Sequence, residues 1–427
     1  MDDVVEYFKK FNADPLNGIA VLLFFSTALF LTLKGVVTTA LFLVFFVCAF
    51  QIAKFPRFYL FNRGHHFWII VFCLLSPFLA EILAQVGRGS FVASSLDGPS
   101  RAILATGVFI YLSTRDCAKL LSAISLGSAA GILLVFLCLH IFPEYYWGNR
   151  AATYFVDPIT LPCYTVALLG IVLFGDRTNI RAIDANFIKL LLCVLTIHIA
   201  MESQSRSSWV AGVFLAEVYI IHSFRASAIK LLFGTLVLFG GIFLVFYFSD
   251  IFRERSLEAI LGLSAFFNLE RGSWFSSYQR MVLLLVDYEL IKDNFIFGVA
   301  DGVMPNFEYL QSIIPSITRE IYEIRTLAGS HAELVGQLVR KGVFLGSVAL
   351  WGLFGYPIYL IFREYRRQGT LSCELETLLG LVVPVLISGL TIQVFNLKMT
   401  ISFYILLLAV FLACYSRAAC LRLNNSS

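Results

Sequence analysis

Apolar runs separated by short polar turns recur along almost the whole chain, and their shared feature is length rather than an amphipathic period. A helix crossing hydrocarbon needs about 20 mostly apolar residues, because each adds about 1.5 Å and every backbone amide must be satisfied within the segment. Residues 16–33, 36–53, 66–84, 102–113, 118–142, 160–174, 186–201, 206–222, 229–248, 343–362, 375–395 and 399–416 meet or approach that requirement, the fourth and sixth being short. The pattern predicts an all-α fold, a polytopic transmembrane bundle of about 12 spans.

The pattern breaks once. Residues 250–341 are too polar for hydrocarbon and too long for a simple connector, so the chain divides into nine spans over 1–248, a large loop over 249–342, and three spans with a tail over 343–427. Long connections of this kind are usually binding or catalytic elements when they are ordered. Within this one, 276–292 reads as a helix, and its run Met281–Val286, apolar all round, is expected in the membrane interface or against the bundle.

Charge orients the bundle. With an even number of spans both termini share a side, and Lys9, Lys10, Lys54, Arg57, Arg63, Arg115, Lys119, Arg177, Arg181, Lys189, Arg225, Lys230, Arg363, Arg366, Arg367, Arg417 and Arg422 all fall there. The short opposite loops hold Lys34, Arg88, Arg101, Arg150, Arg206 and Lys398. Such a bias places the termini in the cytoplasm and the long, partly helical loop outside. The first apolar run follows Lys9 and Lys10, lacks a small-residue cleavage site, and reads as a retained signal anchor.

Composition agrees with a membrane solvent. Of 427 residues, 59% are hydrophobic and 14% charged, against about 25% charged in soluble domains. A net charge of +4 speaks to topology and not to a nucleic-acid partner. The nine cysteines form no CxxC pair and none lies in the loop, so neither a disulfide framework nor a thiolate metal site is expected. Walker, GxSxG and HExxH patterns are absent, as are carboxylate pairs with metal spacing, so no metal or other cofactor is expected. His65 and His66 adjoin the third span and read as interfacial, while His140, His198 and His222 sit near span ends without a specific reading.

Three places carry candidate chemistry. The turn MESQSRSSW joins the seventh and eighth spans, and its strong cation, Arg206, is either an ordinary helix-end arginine or a planar fork for a phosphate. Arg280 lies early in the loop helix, where a cation opposes the helix dipole. It either pairs with Asp287 or Glu289, reaches toward lipid phosphate, or holds an anionic ligand. In SHAELVGQLVRKGVFLG, His331 and Gly342 are eleven residues apart, near three helical turns, and on a continuous helix would share a face. Gly342 and Gly346 then form a small-xxx-small pair for another helix. His331 is either merely solvated or a proton acceptor for a hydroxyl.

QSRSSW at an outer helix end, then R-M-x-L followed by IKDNFIFGVADG, then SHAE with GVFLG, resembles the O-antigen ligase and polymerase superfamily of bacterial envelopes, and within it most resembles the O-antigen ligases. The resemblance runs from about Met201 to Gly346 and departs from the family in its glycine spacing and at Asn294 and Ala300. It implies a metal-independent, cofactor-free glycosyltransferase of the bacterial inner membrane. Such an enzyme moves a glycan from undecaprenyl pyrophosphate to a sugar hydroxyl of the lipid A core at the outer face. By the same resemblance Arg206 and Arg280 bind the pyrophosphate, His331 is the base or orients the acceptor, Glu333 matches the family pattern and orients His331, Arg255 with Glu258 and Ala259 matches a segment at the loop start, and Glu333 and Arg255 are counted with the substrate-binding residues. A polymerase or a protein O-oligosaccharyltransferase of the same superfamily shares this chemistry. A transporter for a lipid-linked anion would instead place charged or broken helices near the bilayer midplane.

Overall fold

The computed structural model describes residues 15–60, 64–146, 150–175, 182–268, 275–300, 303–395 and 397–426. Lys9, Lys10, Arg63, Arg177, Arg181, Arg271 and Trp274 lie outside them, and the side chain of Arg422 is not described. The chain is 80% helical, and a helix occupies each of the apolar segments named above. Among the described residues, 7 helices are long and apolar enough to cross a membrane: Val36–Lys54, His65–Arg88, Ala118–Ile141, Arg206–Phe224, Ala228–Phe248, Val343–Gln368 and Lys398–Cys420. Pro15–Leu29 and Thr160–Gly175 are shorter apolar helices.

Glycines set how closely these helices pack, because apolar side chains gain nothing from one another that lipid would not give, whereas backbone contact does. A Cβ at Gly170 would lie 2.1 Å from the Gly380 carbonyl oxygen, so Thr160–Gly175 and Cys373–Gly389 meet backbone to backbone. Gly127, where a Cβ would lie 2.5 Å from the Phe24 carbonyl oxygen, does the same for Ala118–Ile141 and Pro15–Leu29. Lys398–Cys420 runs through the middle, with 89% of its apolar window inside the protein, whereas Ala228–Phe248 has 0% inside and touches the bundle mainly along Arg206–Phe224.

The long loop has a core of its own. Tyr278, Val282, Leu283, Val286 and Leu290 of the Ser276–Asp293 helix pack with Leu310, Ile314, Ile317, Ile321 and Val339. The expectation for Met281–Val286 is corrected accordingly: this stretch is the inner face of the loop, with Leu285 left exposed. Asp287, on that inner face, accepts from Arg325 Nε (2.8 Å) and Ser330 Oγ (2.6 Å). Burial pushes the Asp287 carboxyl up against the pull of both partners.

The helix expected to run from His331 through Gly342 is broken. Helix Glu333–Lys341 ends at Gly342, which takes φ +78°, and Val343–Leu350 starts afresh. A Cβ at Gly342 would lie 2.2 Å from the Ile296 carbonyl oxygen, and one at Gly346 would lie 2.7 Å from that of Gln337. The glycine pair therefore lets the chain fold back on itself, with Gly346 against its own preceding helix, and does not receive a separate span. Gly298 (φ +67°) completes the joint from the 294–298 turn, where Val343 N–H donates to the Phe295 carbonyl (2.8 Å) and Val299 N–H to that of Val339 (2.8 Å).

Buried polar groups fasten this joint to the bundle. Arg88, at the end of His65–Arg88, donates to the carbonyls of Phe297 (2.7 Å) and Arg340 (2.6 Å). Lys341 lies 3.5 Å from Glu81 and also donates to Gln337. Removing one partner of a buried pair strands the other charge, at a cost of about 3–5 kcal/mol. Arg325→Ala is therefore expected to unfold the loop core around Asp287, seen as rapid proteolysis within 250–341 in detergent. The exposed Leu257→Ala should leave the digestion pattern unchanged.

Candidate functional site

Five segments of the chain meet at the helix ends that face the loop. The first is the Ser203–Ser208 turn, whose Gln204 takes a left-handed φ of 49° and whose Ser203, Ser205, Ser207 and Ser208 are buried. Such a backbone persists only where its surroundings hold it. Trp209 Nε1 donates to the Ala200 carbonyl (2.9 Å) and Ser208 Oγ to that of Ser205 (2.7 Å), while Thr391 Oγ1 donates to Ser207 Oγ (3.0 Å) from the last loop of the chain. The turn is fixed on both sides, and Arg206 projects from it.

The second segment is the start of the loop, helix Asp250–Phe267. Arg255 donates from Nε (3.1 Å) and Nη2 (2.8 Å) to the Gln204 side-chain oxygen and from Nη1 to Glu258 (2.9 Å). Each of its three nitrogens thereby carries one bond. In this geometry Arg255 clamps the Gln204 turn. Arg206 in turn donates to the Arg255 carbonyl (3.2 Å) and to Ser276 Oγ, with Glu258 4.0 Å away.

Arg280, on the Ser276–Asp293 helix, is the third. Asp287 is taken by Arg325 and Glu289 by Lys292, so neither of the carboxylates suggested for it by sequence is its partner. Among the described residues it has no hydrogen-bond or ion-pair partner. Burial, with repulsion from Arg206 and then Arg150, pulls its guanidinium down to about 10, which still leaves it charged at neutral pH. A half-buried cation facing other cations is a poor way to stabilise a fold and a suitable way to hold an anion.

Arg150, which the sequence reading used only for topology, belongs to the same cluster. It opens the second strand of an antiparallel hairpin, Glu144–Tyr146 with Arg150–Ala152, which Thr153 ties down by donating to the Leu31 carbonyl (2.8 Å). Its Nε is buried without a partner among the described residues. Burial lowers its pKa first, then repulsion from Arg255 and Arg206, with Glu258 opposing. The only sign of it in the sequence is its place among the few cations on the side that carries fewer of them.

His331 precedes helix Glu333–Lys341, and its neighbour Ser330 is held by Asp287. Burial, then repulsion from Arg280 and Arg325, pulls its imidazole down to about 4, so it is neutral at neutral pH and free to accept a proton. Glu333 does not orient it. The buried Glu333 carboxylate accepts from Gln337 (2.7 Å), Arg340 (3.2 Å) and the Phe395 N–H (3.1 Å), and so ties the loop to the turn before Lys398–Cys420. Gly342 and Gly346 act as the hinge described above and do not reach the cluster.

Among the described residues no group of three or more His, Cys, Asp or Glu could hold a metal ion. A cavity of about 600 Å3 opens at the opposite helix ends, among Asp116, Cys117, Cys373, Glu374 and Arg417. Its lining mixes both signs of charge, and we place the anion site at the guanidinium cluster instead. No protein-family model matches the chain, and no curated protein is significantly similar to it. The chain is an all-α protein of membrane type with a cationic, histidine-bearing cluster at one end of its bundle.

Inorganic pyrophosphate should bind purified protein in detergent at this cluster. Arg280→Ala and Arg150→Ala are each expected to weaken it by at least about tenfold, since a charge-assisted contact contributes about 1.5–3 kcal/mol. Unchanged affinity in both, by calorimetry, would remove the anion from this place.

Proposed function

We propose that the chain is an O-antigen ligase type of glycosyltransferase. It transfers a glycan from undecaprenyl pyrophosphate to a sugar hydroxyl of the lipid A core at the outer face of the bacterial inner membrane. The observation that carries this reading is the convergence of Arg150, Arg206, Arg280 and His331 from four separate segments, with no described carboxylate on Arg280. The twelve-span topology, cytoplasmic termini and periplasmic loop belong to the same proposal. The positive-inside bias and the gathering of all four residues at the loop end of the bundle support it.

The chemistry follows from where charge develops. As the anomeric carbon leaves its phosphate oxygen, the lipid diphosphate gains negative charge, and guanidinium groups already in place stabilise that state more than the ground state. Fixed cations then do the work that a divalent ion does elsewhere. The neutral His331 imidazole takes the proton of the acceptor hydroxyl while its oxygen bonds to the anomeric carbon, a direct displacement that inverts the centre. Donor binding also tunes the base, because a diphosphate among the arginines cancels the field of Arg280 and Arg325 and raises the affinity of His331 for a proton.

The cluster lies at helix ends and not at mid-bilayer, which favours an enzyme over a lipid-anion transporter. Purified protein given donor and acceptor without a membrane gradient should therefore form product. Arg206→Ala, Arg280→Ala and His331→Ala are each expected to lower transfer by about 10²–10⁴ while the protein still accumulates, and lysine at either arginine position should not restore it. Normal transfer in all three alanine variants would end the proposal. Lipopolysaccharide from a deletion strain separates ligase from polymerase. Loss of all attached glycan, with polymer still on the carrier, marks the ligase, and core capped with a single repeat marks the polymerase.

The free enzyme sets the acid limb of kcat/KM. Protonating His331 removes the base, so activity should hold as pH falls through the ordinary imidazole range of about 6.5 and drop only toward about 4. A limb centred near the ordinary imidazole value would assign the base to another group.

A further inference from the structure

Away from the guanidinium cluster, two histidines meet across a helix pair. His140 lies one residue before the end of Ala118–Ile141, and His198 lies about one turn before the end of Ala182–Glu202. Their Nε2 atoms are 3.2 Å apart, and the ring centroids are 5.0 Å apart with 25° between the planes. The other ring nitrogen of His140, Nδ1, sits 2.8 Å from the Phe136 carbonyl oxygen. A carbonyl only accepts, so Nδ1 carries the hydrogen, and in the neutral ring the Nε2 lone pair points at His198.

This is the arrangement a metal-binding histidine needs. The remote N–H of a ligating imidazole is normally given to a backbone carbonyl, which fixes the tautomer and the ring orientation. Two imidazole nitrogens on one tetrahedral ion at about 2.0–2.1 Å stand about 3.3 Å apart, with ring centroids about 5.2 Å apart. The observed 3.2 Å and 5.0 Å fit that chelate without movement of either helix.

We infer that His140 and His198 form a surface site for a divalent transition cation of the zinc, copper or nickel class, which bridges the Ala118–Ile141 and Ala182–Glu202 helices. Imidazole ligands select that class over magnesium or calcium, which take oxygen. In the metal-free pair one Nε2–H donates to the other Nε2. On binding, the donating ring moves its proton to Nδ1, so that both Nε2 lone pairs face the ion and no net proton is released. Among the described residues no third side chain joins the pair, so water completes the coordination. The site does not depend on the glycosyltransferase reading, although Ala182–Glu202 leads directly into the Ser203–Ser208 turn.

The test is titration of the full-length protein in detergent with Zn2+, followed by calorimetry and by thermal unfolding, with Mg2+ as the hard-cation control. One equivalent of Zn2+ should bind and raise Tm, and Mg2+ should do neither. His140→Gln and His198→Gln should each weaken that equivalent by at least about tenfold, with Tm in chelator unchanged. His198→Cys, which keeps a ligand for zinc, should retain it. Wild-type protein that binds no Zn2+, or glutamine variants that bind it with unchanged stoichiometry and affinity, would overturn the inference.

Discussion

Like charges taken partly out of water repel strongly, and the cationic end of this bundle is built to hold them together. Arg280 feels the charges of Arg206 and Arg150, and Arg150 those of Arg255 and Arg206, while Glu258 offsets the charge at Arg150 and Arg206. The repulsion in that gathering works against folding, even though Arg206 also donates to the Arg255 carbonyl and Ser276. It persists because each arginine stands on an element fixed by other means: a docked hairpin, a turn locked by buried serines, and a helix whose opposite face is the loop core. Under the proposed function a lipid diphosphate would relieve that repulsion, which is the physical sense in which such a site is preorganised.

The loop has to be held rigidly for this to work, and its fastenings are polar and buried. Asp287 with Arg325 and Ser330 fixes the approach to His331. Glu333 reaches the turn before Lys398–Cys420, and Lys341 with Glu81, together with Arg88, fastens the chain reversal at Gly342 to the bundle. Each of these groups would be costly to leave unpaired, so the loop docks in one position or not at all. Arg255 closes the arrangement by gripping Gln204, and so couples the loop's first helix to the turn that presents Arg206.

Much of the secondary structure was legible in the sequence, because in hydrocarbon the backbone has one economical way to satisfy itself. The boundaries of Val36–Lys54, Thr160–Gly175 and Ser276–Asp293 fall within a residue or two of those the apolar pattern suggested. Arg206, Arg280 and His331 were found through the resemblance, and the structure brings them together. Arg150 was missed because a hairpin arginine has no local signature and its role exists only through neighbours more than fifty residues away. Gly342 and Gly346 fold the chain back on itself in place of receiving another span, and Glu333 accepts from Gln337, Arg340 and Phe395 in place of His331: a residue type at a spacing tells that a position is constrained, and not what constrains it.

The sequence by itself determined that this is a helical protein of membrane type, where its apolar helices fall, and that one long polar segment interrupts them, since transfer of apolar and polar groups between water and lipid is a property of each segment alone. Only the tertiary structure decided which arginines are spent on structural bonds and which are left facing one another. That distinction depends on whether a carboxylate or carbonyl from elsewhere in the chain lies within about 3 Å. No local pattern encodes that distance.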